Sequence, residues 1–368
     1  MKKILFLINT LNGGGAERIL VDLVNALADK GYDVTLMTVT DTGQFKHRLD
    51  KKVKYKTIVG VKNSKLRHLF SYAISFLLPP VLIHKIFIGN KYYYEVAFLE
   101  GVPTKIIGAS TNGKSKKYAW VHIDLYNTFG LEKVHKNMQQ HIECYKRFDK
   151  IVCVSENVQE MFTKRFGIKD NLIVKYNILD DEAIKNKSIE PLTKSDVFRI
   201  VSVGRLESQK GYDRLIPIIK KLKDENLDCE LLLVGDGSKR NELEHIAQKY
   251  DISDRVHFIG FCDNPYKYMQ SADLLVFPSR AEGYSTVVTE AVILGKPIVV
   301  SDCAGMREIL GDSEYGIVAE NNENSIYQAV RDMVCNSELR QSYAQKALER
   351  SRDFTKEKRL NELIELFE

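Results

Sequence analysis

The sequence predicts an α/β protein with two doubly wound parallel sheets, and three observations support this. The chain has 368 residues, which is too long for one ordinary hydrophobic core and suits two domains. Short apolar runs alternate with longer segments in which apolar residues recur at helical spacing. This alternation begins twice, at Lys3 and at Phe198, and the polar segment Asp181–Asp196 between them is typical of a linker. We therefore expect a first domain over residues 1–185 and a second over 186–352.

Cysteine usage and hydropathy indicate a protein of a reducing compartment. The six cysteines lie far apart, form no C-x-x-C pair and follow no recognisable secretory signal. The longest apolar stretch, Leu69–Ile83, is interrupted by two serines and two prolines, so we do not expect it to span a bilayer. The sequence therefore predicts a cytoplasmic protein with neither a disulfide framework nor a zinc site.

Charge is divided unevenly along the chain. Residues 1–190 carry 30 Lys and Arg against 19 Asp and Glu, whereas the remainder carries 24 against 30. Within the basic half, residues 62–94 mix Lys and Arg with Phe, Leu, Ile and three consecutive tyrosines. That composition suits a segment at the surface of an anionic membrane, and it equally suits an amphipathic helix packed on the first sheet. Because no helix-turn-helix, RNP or zinc pattern is present, no nucleic-acid partner is expected.

A glycine-rich turn follows the first predicted strand. Gly14 and Gly15 lie between this strand and the first helix, and the missing side chains would let a phosphate approach the backbone closely. A tight turn with no ligand would need the same residues. A nicotinamide-binding fingerprint would need glycine where Arg18 stands, so a hydride-transfer enzyme is not expected.

Two polar residues follow a later strand of the first half. His122 ends the apolar run Tyr118–His122, and Asp124 follows two residues later. Ligands of doubly wound sheets bind beyond the carboxyl ends of the strands, where a neutral imidazole can donate a hydrogen bond to a sugar hydroxyl. We therefore expect His122 to contact a substrate and Asp124 to contact an acceptor, although a purely structural histidine remains open.

The second half begins with a loop that is suited to an anion. Arg205 and Lys210 follow the strand Phe198–Val203, five residues apart, so both can reach one phosphate group. Gly204 at the end of this strand and Gly235 at the end of the next give the backbone room for close approach. Two exposed surface charges would be the alternative.

The stretch from Phe277 to Gly295 has the order strand, loop, helix. The helix would begin near Ser285, Thr286 and Val287, whose backbone amides and dipole end can bind an anion. Glu282 lies in the loop, and Glu290 lies about one turn inside the helix, where each carboxylate can accept hydrogen bonds from sugar hydroxyls. Two solvated surface glutamates would be the alternative.

The E-x7-E spacing of these glutamates, the G-R-L-x-x-x-K-G string and the G-G-A-E turn resemble retaining glycosyltransferases of family 4. The resemblance implies the GT-B fold, in which two Rossmann-like domains face each other across a cleft. It also implies roles: Glu282 and His122 beside the transferred sugar, Glu290 on the ribose, Arg205 and Lys210 on the donor diphosphate. The YNILD segment resembles the interdomain hinge of that family, although the usual glycine is missing.

The same resemblance implies how the chain ends and what it does. Residues 353–368 are expected to cross back to the first domain, which would bind the acceptor while the second binds the donor. We expect transfer of a hexosyl or N-acetylhexosaminyl group from a UDP-sugar, with retention, to a saccharide linked to a polyprenyl diphosphate. Such a reaction belongs to the assembly of bacterial capsule, exopolysaccharide or lipopolysaccharide, at the inner face of the membrane.

No metal and no cofactor are expected, because no Asp-x-Asp motif lies at a suitable strand end. Two alternatives remain open at the level of sequence. A sugar-nucleotide epimerase of the same fold would use the same diphosphate contacts without an acceptor. A non-enzymatic protein that binds membrane or nucleic acid would use the basic first half.

Overall fold

The structure, a computed structural model, describes residues 2–12, 14–126, 134–192 and 196–368. The chain forms two compact units. The first comprises Met1–Ile178 together with Arg359–Glu368, and the second comprises Leu179–Lys358. The boundary after Ile178 falls inside the YNILD segment.

The first unit is built on a seven-stranded sheet in which every neighbouring pair is parallel. The strand order is β3-β2-β1-β4-β5-β6-β7, so the chain reverses its direction of winding between β1 and β4. The strands are β1 (Lys3–Ile8), β2 (Asp33–Thr40), β3 (Lys54–Val59), β4 (Tyr94–Ala97), β5 (Lys116–Val121), β6 (Lys150–Cys153) and β7 (Leu172–Val174).

Helices connect these strands, as parallel pairing requires. They are α1 (Gly15–Asp29), α2 (Ser64–Tyr72), α3 (Pro80–Ile83), α4 (Val102–Ile107), α5 (Met138–Tyr145) and α6 (Glu156–Phe166). The central strands are buried on both faces, and for this reason β1 consists almost entirely of Ile, Leu and Phe. No helix in the parts of the chain that the structure describes is long and apolar enough to cross a membrane.

The last ten residues return to the first unit, as the sequence resemblance implied. The Phe367 ring is almost fully buried and packs on Phe6 and Tyr94, with ring centroids 5.9 and 5.3 Å away. The Tyr118 hydroxyl donates a 2.9 Å hydrogen bond to the carbonyl of Leu366. These contacts fix the chain terminus beside the central strands.

The second unit has a six-stranded parallel sheet of order β10-β9-β8-β11-β12-β13. Its strands are β8 (Phe198–Val203), β9 (Cys229–Val234), β10 (Val256–Gly260), β11 (Leu274–Phe277), β12 (Ile298–Ser301) and β13 (Ile317–Ala319). Its helices are α7 (Asp181–Ser188), α8 (Tyr212–Asp224), α9 (Arg240–Lys249), α10 (Tyr266–Ser271), α11 (Thr286–Ile293), α12 (Met306–Leu310), α13 (Glu323–Cys335), α14 (Ser337–Arg350) and α15 (Lys356–Ile364), the last of which runs on into the first unit.

The interpretation of Asp181–Asp196 as a linker was wrong for its first half, which forms α7. The Asp180 side chain caps this helix by accepting a hydrogen bond from the Ala183 amide at 2.9 Å. Acidic residues in the first turn and lysines in the last turn complement the helix dipole, and Ile184 is buried. The high charge therefore reflects the exposed surface of a helix. Residues 193–195 of this segment lie outside the described residues.

Winding reverses in the second sheet between β8 and β11, which are neighbouring strands. Loops at the carboxyl ends of such a pair leave in opposite directions and open a crevice, where doubly wound proteins bind ligands. The loop after β8 carries Arg205 and Lys210, and the loop after β11 carries Glu282. The topology therefore places both predicted motifs at the switch point of this unit.

Candidate functional site

The two loops at the switch point are joined by an ion pair. The Lys210 ammonium lies 2.6 Å from Oε1 of Glu282, with 18% and 10% of the two side chains exposed. The Ser279 hydroxyl donates to the same oxygen at 2.7 Å. A pair this sheltered is screened less by salt than a surface pair, so the two charges hold each other in place.

Lys210 and Glu282 line a small open pocket together with Ser285 and Val287. Four residues that the sequence assigned to the site therefore meet in one concavity. Tyr212, the first residue of α8, also lines the pocket, and its side chain is buried.

The pocket ends at the N-terminus of α11. The Ser285 side chain caps the helix by accepting from the Val288 amide. The first amides of a helix have no partner within the helix, which leaves those of Thr286 and Val287 for a ligand or water. The positive dipole end lies at the same place, so negative charge is favoured here.

A buried arginine that the sequence analysis missed supports the loop after β11. Arg214 of α8 donates to the Pro278 carbonyl at 3.0 and 2.6 Å and to the Ser279 carbonyl at 3.0 Å. Gly211 has a left-handed φ of 69°, and a Cβ there would lie 2.1 Å from the Pro278 oxygen. Both features bring the Lys210 loop against the Glu282 loop. The sequence signal of Arg214 was weak because a single Arg in an amphipathic helix is usually a surface charge.

The two glycines at the ends of β8 and β9 have positive φ, and neighbouring atoms leave no room for a Cβ at either position. Gly204 and Gly235 have φ of 155° and 141°, and a Cβ on Gly235 would lie 2.1 Å from the Gly204 oxygen. The Gly235 amide also donates to the Gly260 carbonyl at 2.9 Å. The structure therefore gives these glycines a role in joining three strand ends.

Arg205 and Glu290 lie outside the pocket lining. The Arg205 side chain is exposed and makes no hydrogen bond or ion pair with the rest of the described chain. Glu290 is buried within α11, where its Oε1 accepts a 3.1 Å hydrogen bond from the Tyr266 hydroxyl. One predicted cation is thus exposed, whereas one oxygen of the predicted carboxylate Glu290 accepts from Tyr266.

In the first unit, the glycine-rich turn begins α1. Gly14 is the residue before the helix, with an extended backbone, and Gly15 is its first residue. A Cβ on Gly14 would meet the Glu17 carboxylate at 2.0 Å, which a movement of that flexible side chain could relieve. Gly14 is therefore not demanded by backbone conformation.

His122 and Asp124 follow β5. The His122 ring packs on Phe98 at 4.7 Å, and its Nε2 is buried without a hydrogen-bond partner in the described part of the chain. Burial lowers the pKa of His122 to about 3, so the ring is neutral at physiological pH. An unpaired buried nitrogen is costly unless a ligand or water satisfies it, which favours a binding role. Asp124 accepts a 2.9 Å hydrogen bond from the Tyr126 amide.

Glu100, which no sequence motif marked, anchors the chain after β5. Its carboxylate is buried at the end of β4 and accepts a 2.5 Å hydrogen bond from the His122 amide. Burial raises the pKa of Glu100 to about 7, and hydrogen bonds from backbone amides oppose the shift. Glu100 thus fixes the position of the His122 backbone.

Raising the pH from about 5 to about 8 is expected to destabilise the wild-type protein relative to Glu100→Gln. The pKa of Glu100 is about 7 in the folded protein and 4.5 for an ordinary glutamate, so the folded state keeps the proton between these two pH values. Stability therefore falls as pH rises through this window, by at most roughly 3 kcal/mol. Melting temperatures of both proteins at the two pH values measure the effect.

Glu143→Gln, at a half-exposed surface carboxylate on α5, is the matched control and should follow the wild type. Equal pH dependence in the wild type and Glu100→Gln would contradict the assignment.

Among the residues that the structure describes, no group of three or more His, Cys, Asp or Glu side chains is arranged to hold a metal ion. All six cysteines are free. The positive charge at the switch point is supplied by Arg205, Lys210 and the end of α11.

The chain is similar over nearly its whole length to bacterial glycosyltransferases. An N-acetylgalactosamine-N,N'-diacetylbacillosaminyl-diphospho-undecaprenol 4-alpha-N-acetylgalactosaminyltransferase from Campylobacter jejuni is 29% identical, and the match covers 97% of each chain. An amylovoran biosynthesis glycosyltransferase from Erwinia amylovora is 26% identical over 99% of this chain and 100% of that one.

A solved structure confirms the architecture. Anabaena Alr3699/HepE in complex with UDP aligns with a TM-score of 0.80 at 20% identity, over 100% of this chain and 99% of that one. Two parallel-sheet units of this kind define the GT-B fold, and the chain is a glycosyltransferase. Residues 183–350 match the family described as glycosyl transferases group 1.

Proposed function

We propose that this glycosyltransferase moves a hexosyl or N-acetylhexosaminyl group from a UDP-sugar to a saccharide acceptor with retention of anomeric configuration and without a metal. The observation that carries the proposal is the pocket at the switch point of the second unit. There the Lys210–Glu282 pair lies beside the N-terminus of α11. Assignment to family 4 of the retaining enzymes is part of the proposal.

The leaving group sets the main electrostatic requirement. Breaking the anomeric C–O bond leaves negative charge on the departing diphosphate, and groups fixed in advance stabilise that charge best. Lys210 has three N–H donors, of which Glu282 takes one, so donors remain for a phosphate oxygen. Arg205 is exposed, and its guanidinium group can donate two parallel hydrogen bonds to a phosphate. The backbone amides of Thr286 and Val287 add neutral donors. These cations perform the neutralisation that a metal ion would otherwise supply.

Glu282 is proposed to hold the transferred sugar. Its Oε1 accepts from Lys210 and Ser279, whereas its Oε2 accepts no hydrogen bond from the described chain and is open to sugar hydroxyls. A carboxylate engaged by two donors is suited to recognition and poorly suited to nucleophilic attack. Retention then follows from departure and attack on one face of the sugar, with a diphosphate oxygen taking the acceptor proton.

Glu290 is proposed to act on the ribose, and Gly204 and Gly235 to shape the donor side. In the first unit, Gly14, Gly15, His122 and Asp124 are proposed to serve the sugar and the acceptor. We propose that the first unit, which includes Arg359–Glu368, binds the acceptor and that the second unit binds the donor. The buried, unpaired Nε2 of His122 supports its part.

The proposed identities of the donor nucleotide and the acceptor are inferred from the relatives. The Anabaena structure contains UDP, which supports a uridine donor. The name of the Campylobacter relative includes diphospho-undecaprenol, which supports an acceptor linked to a polyprenyl diphosphate. Such a lipid lies in a membrane, so we propose that the protein makes peripheral contact with an anionic membrane at its cytoplasmic face.

A thermal-shift screen against UDP, GDP, ADP and their sugars tests the donor. UDP at about 100 times its Kd adds about 2.7 kcal/mol to the second unit, or roughly 5 to 10 °C in Tm. Arg205→Ala removes one charge-assisted contact, so we expect a Kd for UDP higher by roughly 10 to 100-fold. Arg240→Ala, at a partly exposed arginine paired with Glu244, is the control and should bind UDP normally.

Product analysis tests the reaction. With a UDP-sugar and a lipid-linked saccharide, we expect a product whose anomeric coupling by NMR matches the donor, formed equally well in EDTA. No nucleotide raising Tm, or an altered UDP-sugar accumulating without acceptor, would contradict transfer.

A further inference from the structure

We propose that residues 64–88 of the first unit form a docking surface for an anionic lipid bilayer. The surface runs from α2 through two wider π-helical turns, Ala73–Leu77 and His84–Ile88. The inference deepens the proposed function, because it assigns the membrane contact to particular side chains, but its evidence is independent of the donor site.

Exposed apolar side chains are concentrated in this surface. Eleven of the eighteen exposed large apolar side chains in the described chain lie between Leu66 and Phe87. Leu69, Leu77 and Ile86 are 61%, 66% and 65% exposed. A contiguous exposed apolar set marks an interaction site far more often than scattered single residues do.

The helix α2 does not use this set to pack on the sheet. None of its residues is buried, whereas α1 buries eight. Of the two interpretations left open by the sequence, an amphipathic helix that covers the sheet with its apolar face does not describe α2. The large apolar side chains of this helix are exposed.

Polar contacts hold the surface to the rest of the unit. The Ser71 and Thr40 hydroxyls are 2.8 Å apart, and the Lys105 ammonium donates to the Ser75 carbonyl at 2.8 Å. His84 Nε2 lies 2.9 Å from Oε2 of Glu95, both fully buried. Breaking this buried hydrogen bond would leave polar groups unsatisfied, so the second half of the surface is fixed against β4. The apolar set is therefore presented as a defined surface.

Charge identifies the partner. From Val61 to Tyr94 the sequence has five Lys or Arg and no Asp or Glu. A second copy of the chain would bring two basic surfaces together in an isologous dimer, with no acidic residue of the segment to offset them. An anionic bilayer offers negative headgroups above an apolar layer, which matches basic residues beside Leu, Ile and Phe. The short helical pieces suit an interfacial position.

Flotation with vesicles tests the surface. We expect the wild-type chain to float with vesicles of phosphatidylethanolamine and phosphatidylglycerol, less so at high salt, and much less with phosphatidylcholine alone. The double substitution Leu69→Glu, Leu77→Glu should lower the apparent partition coefficient by roughly tenfold or more. Leu348→Glu, at a leucine 57% exposed on α14, is the matched control and should float like the wild type.

Both variants should keep the wild-type Tm and its rise with UDP, which shows that they are folded and that donor binding is intact. A wild-type chain that does not float, or a double variant that floats equally well, would overturn the proposal. Equal binding to phosphatidylcholine would overturn its anionic part. If sedimentation shows that the wild type is a dimer and the double variant a monomer, the surface would be assigned to a second copy of the chain. Absence of a UDP-induced Tm rise with normal flotation would instead count against the donor site.

Discussion

Replacing Lys210 with alanine is expected to lower kcat for sugar transfer by roughly 10²- to 10³-fold, the cost of losing one preorganised donor from an anion-stabilising site. The ammonium lies in the pocket and faces the charge that develops on the diphosphate under the proposed mechanism. Initial rates with saturating UDP-sugar measure the effect. Because charge on the leaving group grows during bond breaking, kcat should fall more than KM rises.

The same substitution should also destabilise the second unit. Glu282 would lose the cation 2.6 Å away while its side chain stays nine-tenths buried, which leaves a charge without its partner. Lys239→Ala, at a partly exposed lysine paired with Glu242, is the control and should keep normal turnover and Tm. Near-normal turnover in a folded Lys210→Ala protein would remove the leaving-group argument.

Replacing Glu282 with alanine is expected to reduce kcat/KM by on the order of 10²-fold or more, because each charged hydrogen bond to a sugar hydroxyl contributes about 1.5–3 kcal/mol. Glu282→Gln keeps the shape and an oxygen that can accept from Ser279, but it loses the attraction to Lys210. We expect its activity to lie between those of alanine and the wild type. Steady-state kinetics on a UDP-sugar series measure both.

Azide separates recognition from nucleophilic catalysis. If Glu282 formed a covalent intermediate, azide would restore turnover to Glu282→Ala and yield a glycosyl azide of inverted configuration. The recognition role predicts no rescue. Glu244→Ala, at a half-exposed carboxylate of α9, is the control and should be fully active. Rescue by azide would contradict the proposed role of Glu282.

Much of the fold could be predicted from the sequence because parallel sheets buried on both faces leave a strong local pattern. Strands such as Lys3–Ile8 are continuous apolar runs, and helices such as Glu156–Phe166 carry clear caps. Strand Lys54–Val59 was missed because it lies at the sheet edge and alternates lysine with apolar residues. Helix α7 was missed because only a few of its side chains are buried, so it lacks an apolar periodicity.

The candidate site could be predicted where its residues form a local motif. Lys210, Glu282 and Ser285 each follow a strand within a short string, and the switch-point topology brings them together. Arg214 and Glu100 could not be found in this way, because burial and partners distant in sequence give them their roles. A charged residue in a helix or a turn carries no local sign that it is buried.

Calorimetric titration of UDP and of uridine into the wild type and Lys210→Ala tests the central claim most directly. The claim is that the switch point of the second unit binds the donor through its diphosphate. The wild type should bind UDP at least roughly tenfold more tightly than uridine, and Lys210→Ala should lose most of that difference while binding uridine unchanged. Equal affinity of the wild type for UDP and uridine, or an undiminished preference for UDP in the variant, would contradict it.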